Sequence, residues 1–380
     1  MTTSPAPSPG PLPPSGPPTH AGSGRPRRLS ARAMLSAAPL ATAVAAFTYA
    51  AAAFAVVLSG QKLPLADPAV PVELAPLNGP LGEVLRYLLP AAAVLGGGLA
   101  LAVHVRRRPG RLLAGAAAGY AVLYSAVVLL LIVDTRLLTM LGYVPFLLVL
   151  AFTDTAALPE NYGWPIVGHQ LVLLAGVALW GMTAAAGLRA SSGACLRCGR
   201  RDGGLGWLTA GAARRWGTPV TLAAAAVPAA YGATRFAWAA GIPLGISPEF
   251  LAMMQETGMV YAGLGLASMA LLGTLLTLGL IQRWGSVFPR WIPWLGGRRV
   301  PILLAVIPAG LVSVVVVPAG ATYLRIFTSG ISTGIPFDAV NWATGAPTLL
   351  WVVWGPLLAA ATLAYYLKRR TGCPRCGREG

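Results

Sequence analysis

The motif CLRCGR at residues 195–200 recurs as CPRCGR at residues 373–378, and these two motifs contain all four cysteines of the chain. Each motif follows a long apolar stretch. Four thiols in two CxxC pairs match the number and spacing of ligands in a tetrahedral metal site, and the glycine after each second cysteine allows the tight turn of a metal-binding knuckle. We therefore predict one shared structural site with the ligands Cys195, Cys198, Cys373 and Cys376.

The identity of the metal follows from the chemistry of the donors. Four soft thiolates in a tetrahedron suit a structural Zn²⁺, and iron in a rubredoxin-like arrangement uses the same knuckles. A third interpretation treats each pair as an independent reduced dithiol or redox couple. Neither pair lies in the βαβ pattern of a thioredoxin-like site, so we favour zinc.

Composition assigns the broad class. The chain is 56% hydrophobic and only 10% charged, with a mean hydropathy of +0.68, whereas soluble domains carry about 25% charged residues. Alanine, glycine, proline and arginine are abundant and only Lys62 and Lys368 are lysine, which indicates a GC-rich bacterial genome. We predict a multi-pass, all-α protein of the bacterial plasma membrane.

Eight stretches are long and apolar enough to cross about 30 Å of hydrocarbon as helices. The predicted spans are residues 34–58, 84–105, 112–133, 165–188, 219–238, 259–281, 301–323 and 347–367. A further apolar stretch, residues 137–153, is interpreted as an outer-face re-entrant or interfacial helix, because of the charges of the flanking loops, Pro145 near its middle and Asp154 at its end. As a ninth span it would put the two knuckles on opposite sides of the membrane.

Arginine-rich flanks alternate along the chain with flanks that hold most of the acidic residues. The basic flanks are residues 25–32, 106–111, 189–215, 283–299 and 368–378. The positive-inside rule places these flanks, both termini and both knuckles in the cytoplasm, where thiols stay reduced.

The sequence also indicates an internal duplication. The stretch YAAAAFA at residues 49–55 is echoed by YGATRFA at residues 231–237, and the knuckles repeat at a similar offset. We predict two parallel four-helix repeats, each ending in a cytoplasmic CxxCGR knuckle. The counterpart of the first span is the predicted span at 219–238, which must stay in the protein. We therefore interpret the first span as an uncleaved anchor. The predicted units are a disordered Pro/Ser/Gly-rich tail at 1–32, a first repeat at 33–193, a linker at 194–216, a second repeat at 217–368 and a tail at 369–380.

Ionisable groups at membrane depth or in the outer loops are candidate binding residues, because burying a charge in a bilayer is costly. The candidates are Arg235, His169, Asp134 and Glu256. Arg235 near a boundary could equally extend its head to the interface, and His169 could simply cap a helix. If the bundle opens outward, these groups would line a vestibule together with Arg136, Glu249, Arg325 and Asp338.

Residues 283–293, 297–301 and 234–245 resemble segments of uncharacterised multi-pass membrane proteins of high-GC actinobacteria. The resemblance covers mainly the second half of the chain. It implies a membrane location and no particular activity. The basic and tryptophan-rich loop within it is suited to lying on the inner lipid headgroups.

The sequence is compatible with three classes of function. A small-solute transporter or ligand-binding bundle fits a duplicated fold that encloses a site between its repeats. A regulatory scaffold could use the two metal-binding knuckles and the Pro-rich tail as docking surfaces. A membrane enzyme would need the candidate polar residues of the outer face as its catalytic groups. No P-loop, HExxH motif, nucleophile elbow or dinucleotide fingerprint is present. We favour the first class, with lipid headgroups rather than nucleic acid as partners of the arginines.

Overall fold

The computed structural model describes residues 31–72, 75–106, 108–141, 163–201, 206–329, 334–370, 372–373 and 376–378. Helices dominate these ranges, and within them no strand forms beyond one isolated antiparallel bridge between Val287 and Arg299. The predicted tail at residues 1–30 lies outside the described residues. So do residues 142–153 of the predicted re-entrant segment, whereas residues 136–141 are helical.

The described part of the first half contains four long helices. Helices α1 to α4 are Ala31–Leu58, Pro80–Val105, Arg111–Val127 and Trp164–Ser191. Proline in the first turn of α2 and α4 removes an amide hydrogen that would have no partner there. Helix α3 continues into a π-helical turn, Val128–Ile132, which carries the chain to Asp134.

Six α-helices, of which two are short, follow in the described part of the second half. Helices α5 to α10 are Ala210–Ala239, Pro248–Glu256, Met259–Gly279, Ile302–Thr328, Ala346–Leu349 and Trp351–Arg369. The hydroxyl of Thr209 accepts the amide hydrogen of Ala212 at the start of α5, and the hydroxyl of Ser247 accepts that of Phe250 at the start of α6. Both are typical N-cap interactions.

Among the residues that the structure describes, six helices are long and apolar enough to span a membrane. They comprise Leu35–Leu58, Pro80–Val105, Arg111–Ile132, Trp164–Ser191, Met259–Gly279 and Ile302–Thr328. The predicted spans at 219–238 and 347–367 are helical, as parts of α5 and of α9 with α10, but these helices are not among the six. Alanine, glycine and three arginines make α5 less apolar, and α9 and α10 divide the last stretch. The chain is therefore a helical protein with at least six membrane-type helices.

The helices of each half pack in the same order. In the first half α1 packs against α2 and α4, and α3 packs against α4. In the second half α5 packs against α7 and α10, and α8 packs against α10. The halves meet where α8 contacts the π-helical turn that ends α3.

The chain direction defines two ends of the bundle. Helices α4 and α10 both end a few residues before a cysteine knuckle, and we call this the cysteine end. Their antiparallel neighbours α3 and α8 finish at the opposite end, where the side chain of Arg325 donates to the carbonyl oxygen of Leu130 at 2.6 Å. We call that the cavity end, for the cavity described below.

Glycine allows α8 and α10 to approach closely. A Cβ atom built on Gly355 would lie 2.7 Å from the backbone oxygen of Ser313 and 2.3 Å from a methyl carbon of Val317. Such short distances would force the two helices apart, since a backbone atom cannot move aside as a side chain can. Gly310, on α8, has no atom within 4 Å of such a Cβ.

We predict that Gly355→Ala destabilises the purified protein by about 1–3 kcal/mol, the usual cost of overpacking. The matched change Gly310→Ala should leave the melting temperature unchanged or raise it slightly, because alanine favours helix over glycine. Thermal unfolding in detergent, followed by circular dichroism, measures both. Equal melting temperatures for the two variants would contradict the close approach.

Candidate metal centre and polar cavity

The four cysteines form one cluster at the cysteine end. The sulfur atoms of Cys195, Cys198, Cys373 and Cys376 all lie within 4.8 Å of one another. The Sγ atoms of Cys198 and Cys376 are 3.6 Å apart, too far for a disulfide bond. In a tetrahedral site with Zn–S bonds of about 2.3 Å, sulfur atoms lie ~3.8 Å apart. The cluster can therefore bind a metal ion with little rearrangement.

The two knuckles have the same backbone hydrogen bonds. In the first, Gly199 N donates to Cys195 O and Cys195 N donates to Arg200 O. In the second, Gly377 N donates to Cys373 O, and Cys373 N donates to the carbonyl oxygen of residue 378. Both glycines have positive φ, 72° and 67°, which a side chain would disfavour. Each knuckle thus presents its two sulfurs from one tight turn.

Arginines connect the two knuckles in a reciprocal way. The Nη1 atom of Arg200 donates to the carbonyl oxygen of Arg378 at 2.6 Å, and Nη1 of Arg378 donates to the carbonyl oxygen of Arg200 at 3.0 Å. Arg370 adds a bond from the end of α10 to the carbonyl oxygen of Cys198 at 3.1 Å. These contacts hold the second half of the chain against the first.

The local environment affects the four thiols unequally. Burial and the neighbouring sulfurs raise the pKa of Cys198 to about 11. Burial also acts to raise the pKa of Cys195, but hydrogen bonds from the backbone N–H groups of Cys198 and Arg197 outweigh it, and the net shift is downward. A divalent cation would replace the protons that the remaining thiols carry, so binding should release protons and weaken on acidification.

A polar cavity lies at the other end of the bundle, where the halves meet. Its volume is about 290 Å³, and its charged lining residues are Asp67, Asp134, Arg136 and Arg325. Arg136 forms ion pairs with both carboxylates, with Nη2 at 2.7 Å from Asp67 Oδ2. The cavity therefore contains two cations and two anions, with one arginine paired to both acids.

Arg325 is the cation of this cavity that pairs with no carboxylate within the described ranges. Its Nη1 atom donates to Leu130 O, and Nη2 donates to the hydroxyl of Thr322 at 3.0 Å. The Nε atom is buried and has no acceptor among the described residues. A guanidinium held only by neutral acceptors retains capacity for an anionic group.

The structure brings three members of the predicted vestibule together, Asp134, Arg136 and Arg325. Asp67 joins them from a loop, and its sequence context gives no sign of this role. The other three binding candidates, Arg235, His169 and Glu256, do not line the cavity.

Arg235 is buried, with 7% exposure, inside a network of neutral acceptors. Its Nη1 atom donates to Thr234 Oγ1 at 2.8 Å and to Ala343 O at 2.9 Å, and Nη2 donates to Thr344 O at 3.2 Å. The guanidinium also lies over the rings of Tyr231 and Trp238, at 4.1 and 4.6 Å from their centroids. The arrangement fastens the segment before α9 to α5, which accounts for a buried arginine without a carboxylate.

His169 and Glu256 lie in different surroundings. The imidazole of His169 bridges α1 and a loop, with Nε2 at 3.1 Å from the hydroxyl of Tyr49 and Nδ1 at 3.1 Å from Pro64 O. Its ring stacks on that of Tyr49. Glu256 is exposed at the end of α6.

Comparison of the chain with protein-family models, curated proteins and solved structures gives no match. Functional assignment therefore depends on the two sites themselves.

We predict that the purified protein contains about one metal ion per chain and that Cys198→Ser or Cys376→Ser removes it. Elemental analysis by mass spectrometry measures the ratio. Arg197→Gln serves as the control, because it changes the same knuckle without removing a ligand. Two ions per chain, or metal retained after either cysteine change, would contradict a shared site.

We also predict that Arg235→Met lowers the melting temperature, because the carbonyl groups of Ala343 and Thr344 would lose their donor at a cost of about 1–3 kcal/mol each. Arg290→Met, at an exposed position, should leave it unchanged. An unaltered melting temperature for Arg235→Met would contradict this fastening role and favour a role of Arg235 in binding.

Proposed function

We propose that this protein is an integral membrane, ligand-binding bundle that holds a small solute in the polar cavity between its two halves and is closed at its other end by a structural four-cysteine zinc site. The observation that carries the proposal is the position of the cavity. It lies at the junction of the halves and is lined by charged residues from both of them. Membrane proteins built from repeats commonly bind their substrates at such an interface.

The duplication is part of this proposal. The same packing order in both halves supports it, as do the two knuckles with the same backbone hydrogen bonds at an offset of 178 residues. On this basis α5 and the α9–α10 pair are the fifth and eighth spans, the counterparts of α1 and α4 in the packing order. An even number of spans, with the arginine-rich flanks inside, puts the cysteine end and both termini in the cytoplasm.

Zinc is the metal that we propose for the centre. In the reducing cytoplasm four thiolates would bind Zn²⁺ without redox chemistry, and a closed tetrahedron leaves no open position for a substrate. The centre would therefore act as a crosslink between the halves rather than as a catalyst.

The cavity suits a small solute with a carboxylate group. Its volume of about 290 Å³ is at the lower end of small-molecule sites, which corresponds to a solute of about amino-acid size. A carboxylate would bind Arg325, whose acceptors in the protein are neutral. A cationic group on the same solute would be attracted by Asp67 and Asp134, and a zwitterion would leave the net charge of the cavity unchanged.

The zinc centre favours a ligand-binding bundle over a rocking carrier. Alternating access by movement of one repeat against the other requires each end of the bundle to open in turn. A metal ion shared by both halves, with arginine–carbonyl bonds around it, resists opening at the cysteine end. Solute would then enter and leave on the cavity side only.

The experiment is a thermal-shift screen of the purified protein against amino acids and small carboxylic acids, followed by equilibrium dialysis of the compounds that stabilise it. A binding solute raises the melting temperature in a way that depends on the ratio of its concentration to its Kd. We predict that Arg325→Gln weakens binding by about tenfold or more, the loss expected for one charge-assisted hydrogen-bonding group.

Arg86→Gln provides the matched control. Arg86 pairs with Glu83 near the start of α2 and does not line the cavity. The Arg86→Gln variant should bind the solute with the same affinity as the unmodified protein. Equal losses in both variants, or no effect of Arg325→Gln on any binding compound, would contradict the proposed site.

A further inference from the structure

A large apolar groove, distinct from the polar cavity, lies along the second half of the bundle, and Leu138 and Leu141 from the first half also line it. Its volume is about 1100 Å³, above the usual range of small-molecule sites. Helix α7 contributes Leu266, Met269 and Leu276 to one wall, and α8 contributes Leu304 and Val312 to the other. Groove and cavity share Thr135 as a lining residue, so they are neighbours rather than one space.

The groove exists because α7 and α8 make little or no direct contact although they are consecutive long helices. Tyr231 of α5 and Trp351, Trp354 and Leu358 of α10 form its floor. In the first half, an aromatic pair fills the corresponding space between α2 and α3. There Tyr120 packs on Trp180, and its hydroxyl donates to Ala92 O at 2.7 Å across the gap.

The hairpin loop, residues 280–301, closes the groove at the cysteine end. Trp284, Phe288 and Ile292 of this loop line the groove. Helix α10 fixes the loop in place, because Tyr365 Oη donates to Gly285 O at 2.7 Å and Arg369 donates to Val300 O at 3.0 Å. The loop is thus an ordered part of the bundle and positions its side chains beside the groove.

The hairpin loop carries positive charge without compensation. Its sequence has no acidic residue, and its four arginines are exposed: Arg283, Arg290, Arg298 and Arg299. Within the described part of the chain, none of the four forms an ion pair or a side-chain hydrogen bond. Trp291 and Trp294 are 80% and 91% exposed beside them, as expected for indoles at a membrane–water interface.

We propose that the groove and the hairpin loop together form a binding site for one anionic phospholipid, whose acyl chains lie in the groove and whose headgroup contacts the arginines. The apolar walls suit hydrocarbon chains, and the cationic mouth selects the charge of the headgroup. A lipid there would fill the space between α7 and α8 that the described residues leave open. The proposal does not depend on the solute cavity.

The test uses native mass spectrometry of the purified full-length protein with dioleoyl phosphatidylglycerol and dioleoyl phosphatidylcholine, which have the same acyl chains. The anionic lipid should bind as one tight molecule, with a preference on the order of tenfold or more over the zwitterionic lipid. Replacing all four arginines of the loop by glutamine should abolish the preference and leave the metal content unchanged.

A groove-filling variant tests the acyl site separately. Gly273 of α7 lines the groove and has no atom within 4 Å of a built Cβ, so Gly273→Trp should reduce tight binding of both lipids. Gly265→Trp is the matched control, because Gly265 is exposed on the same helix outside the groove. Equal affinity for the two lipids would overturn the headgroup site. Tight binding unaffected by Gly273→Trp would place the lipid elsewhere and overturn the groove as its site.

If the groove variant does not fold, the loop arginine variant still decides the proposal, because its changes are confined to exposed side chains. A retained preference for the anionic lipid in that variant would overturn it.

Discussion

The convergence of four cysteine sulfurs from two distant parts of the chain is the constraint on which the rest of the structure depends. A metal ion bound by all four would connect the end of α4 to the end of α10, and so join the two halves of the bundle. In a lipid environment apolar burial does little to hold helices together, since the lipid tails are as apolar as the side chains. A metal ion bound by both knuckles would then supply an association between the halves that helix packing alone provides only weakly.

The two ends of the bundle satisfy their polar groups in different ways. At the cysteine end, arginines and Lys368 donate to backbone carbonyl groups from neighbouring segments, for example to Leu280 O and Cys198 O. These bonds leave a closed, cross-braced end. At the cavity end, charged side chains face one another around an open volume, and Arg325 retains an unsatisfied donor among the described residues. The physical contrast is between an end cross-braced by hydrogen bonds to carbonyl groups and an end where charged side chains surround a cavity.

The sequence predicted the features that follow from strong local rules. The helical membrane class follows from apolar length, and the cysteine cluster follows from the CxxC spacing and from the prediction that both knuckles lie on one side of the membrane. The chemistry of individual charges could not be predicted in this way. Arg235 is satisfied by the carbonyl groups of a segment 108 and 109 residues away in sequence, and Asp67 reaches the cavity through Arg136, which is 69 residues away. Such long-range partners have no local signature. Hydropathy also predicted a membrane span within α5 on the same footing as the others. The alanine-rich sequence of α5 is less apolar than the six membrane-type helices.

X-ray absorption at the zinc edge of the purified protein tests the central claim most directly, since it reports the atoms around the metal rather than its amount. A shared site predicts a single shell of four sulfur atoms at about 2.3 Å. A shell of two sulfurs with nitrogen or oxygen ligands would show that each knuckle binds on its own, and would contradict a crosslink between the halves.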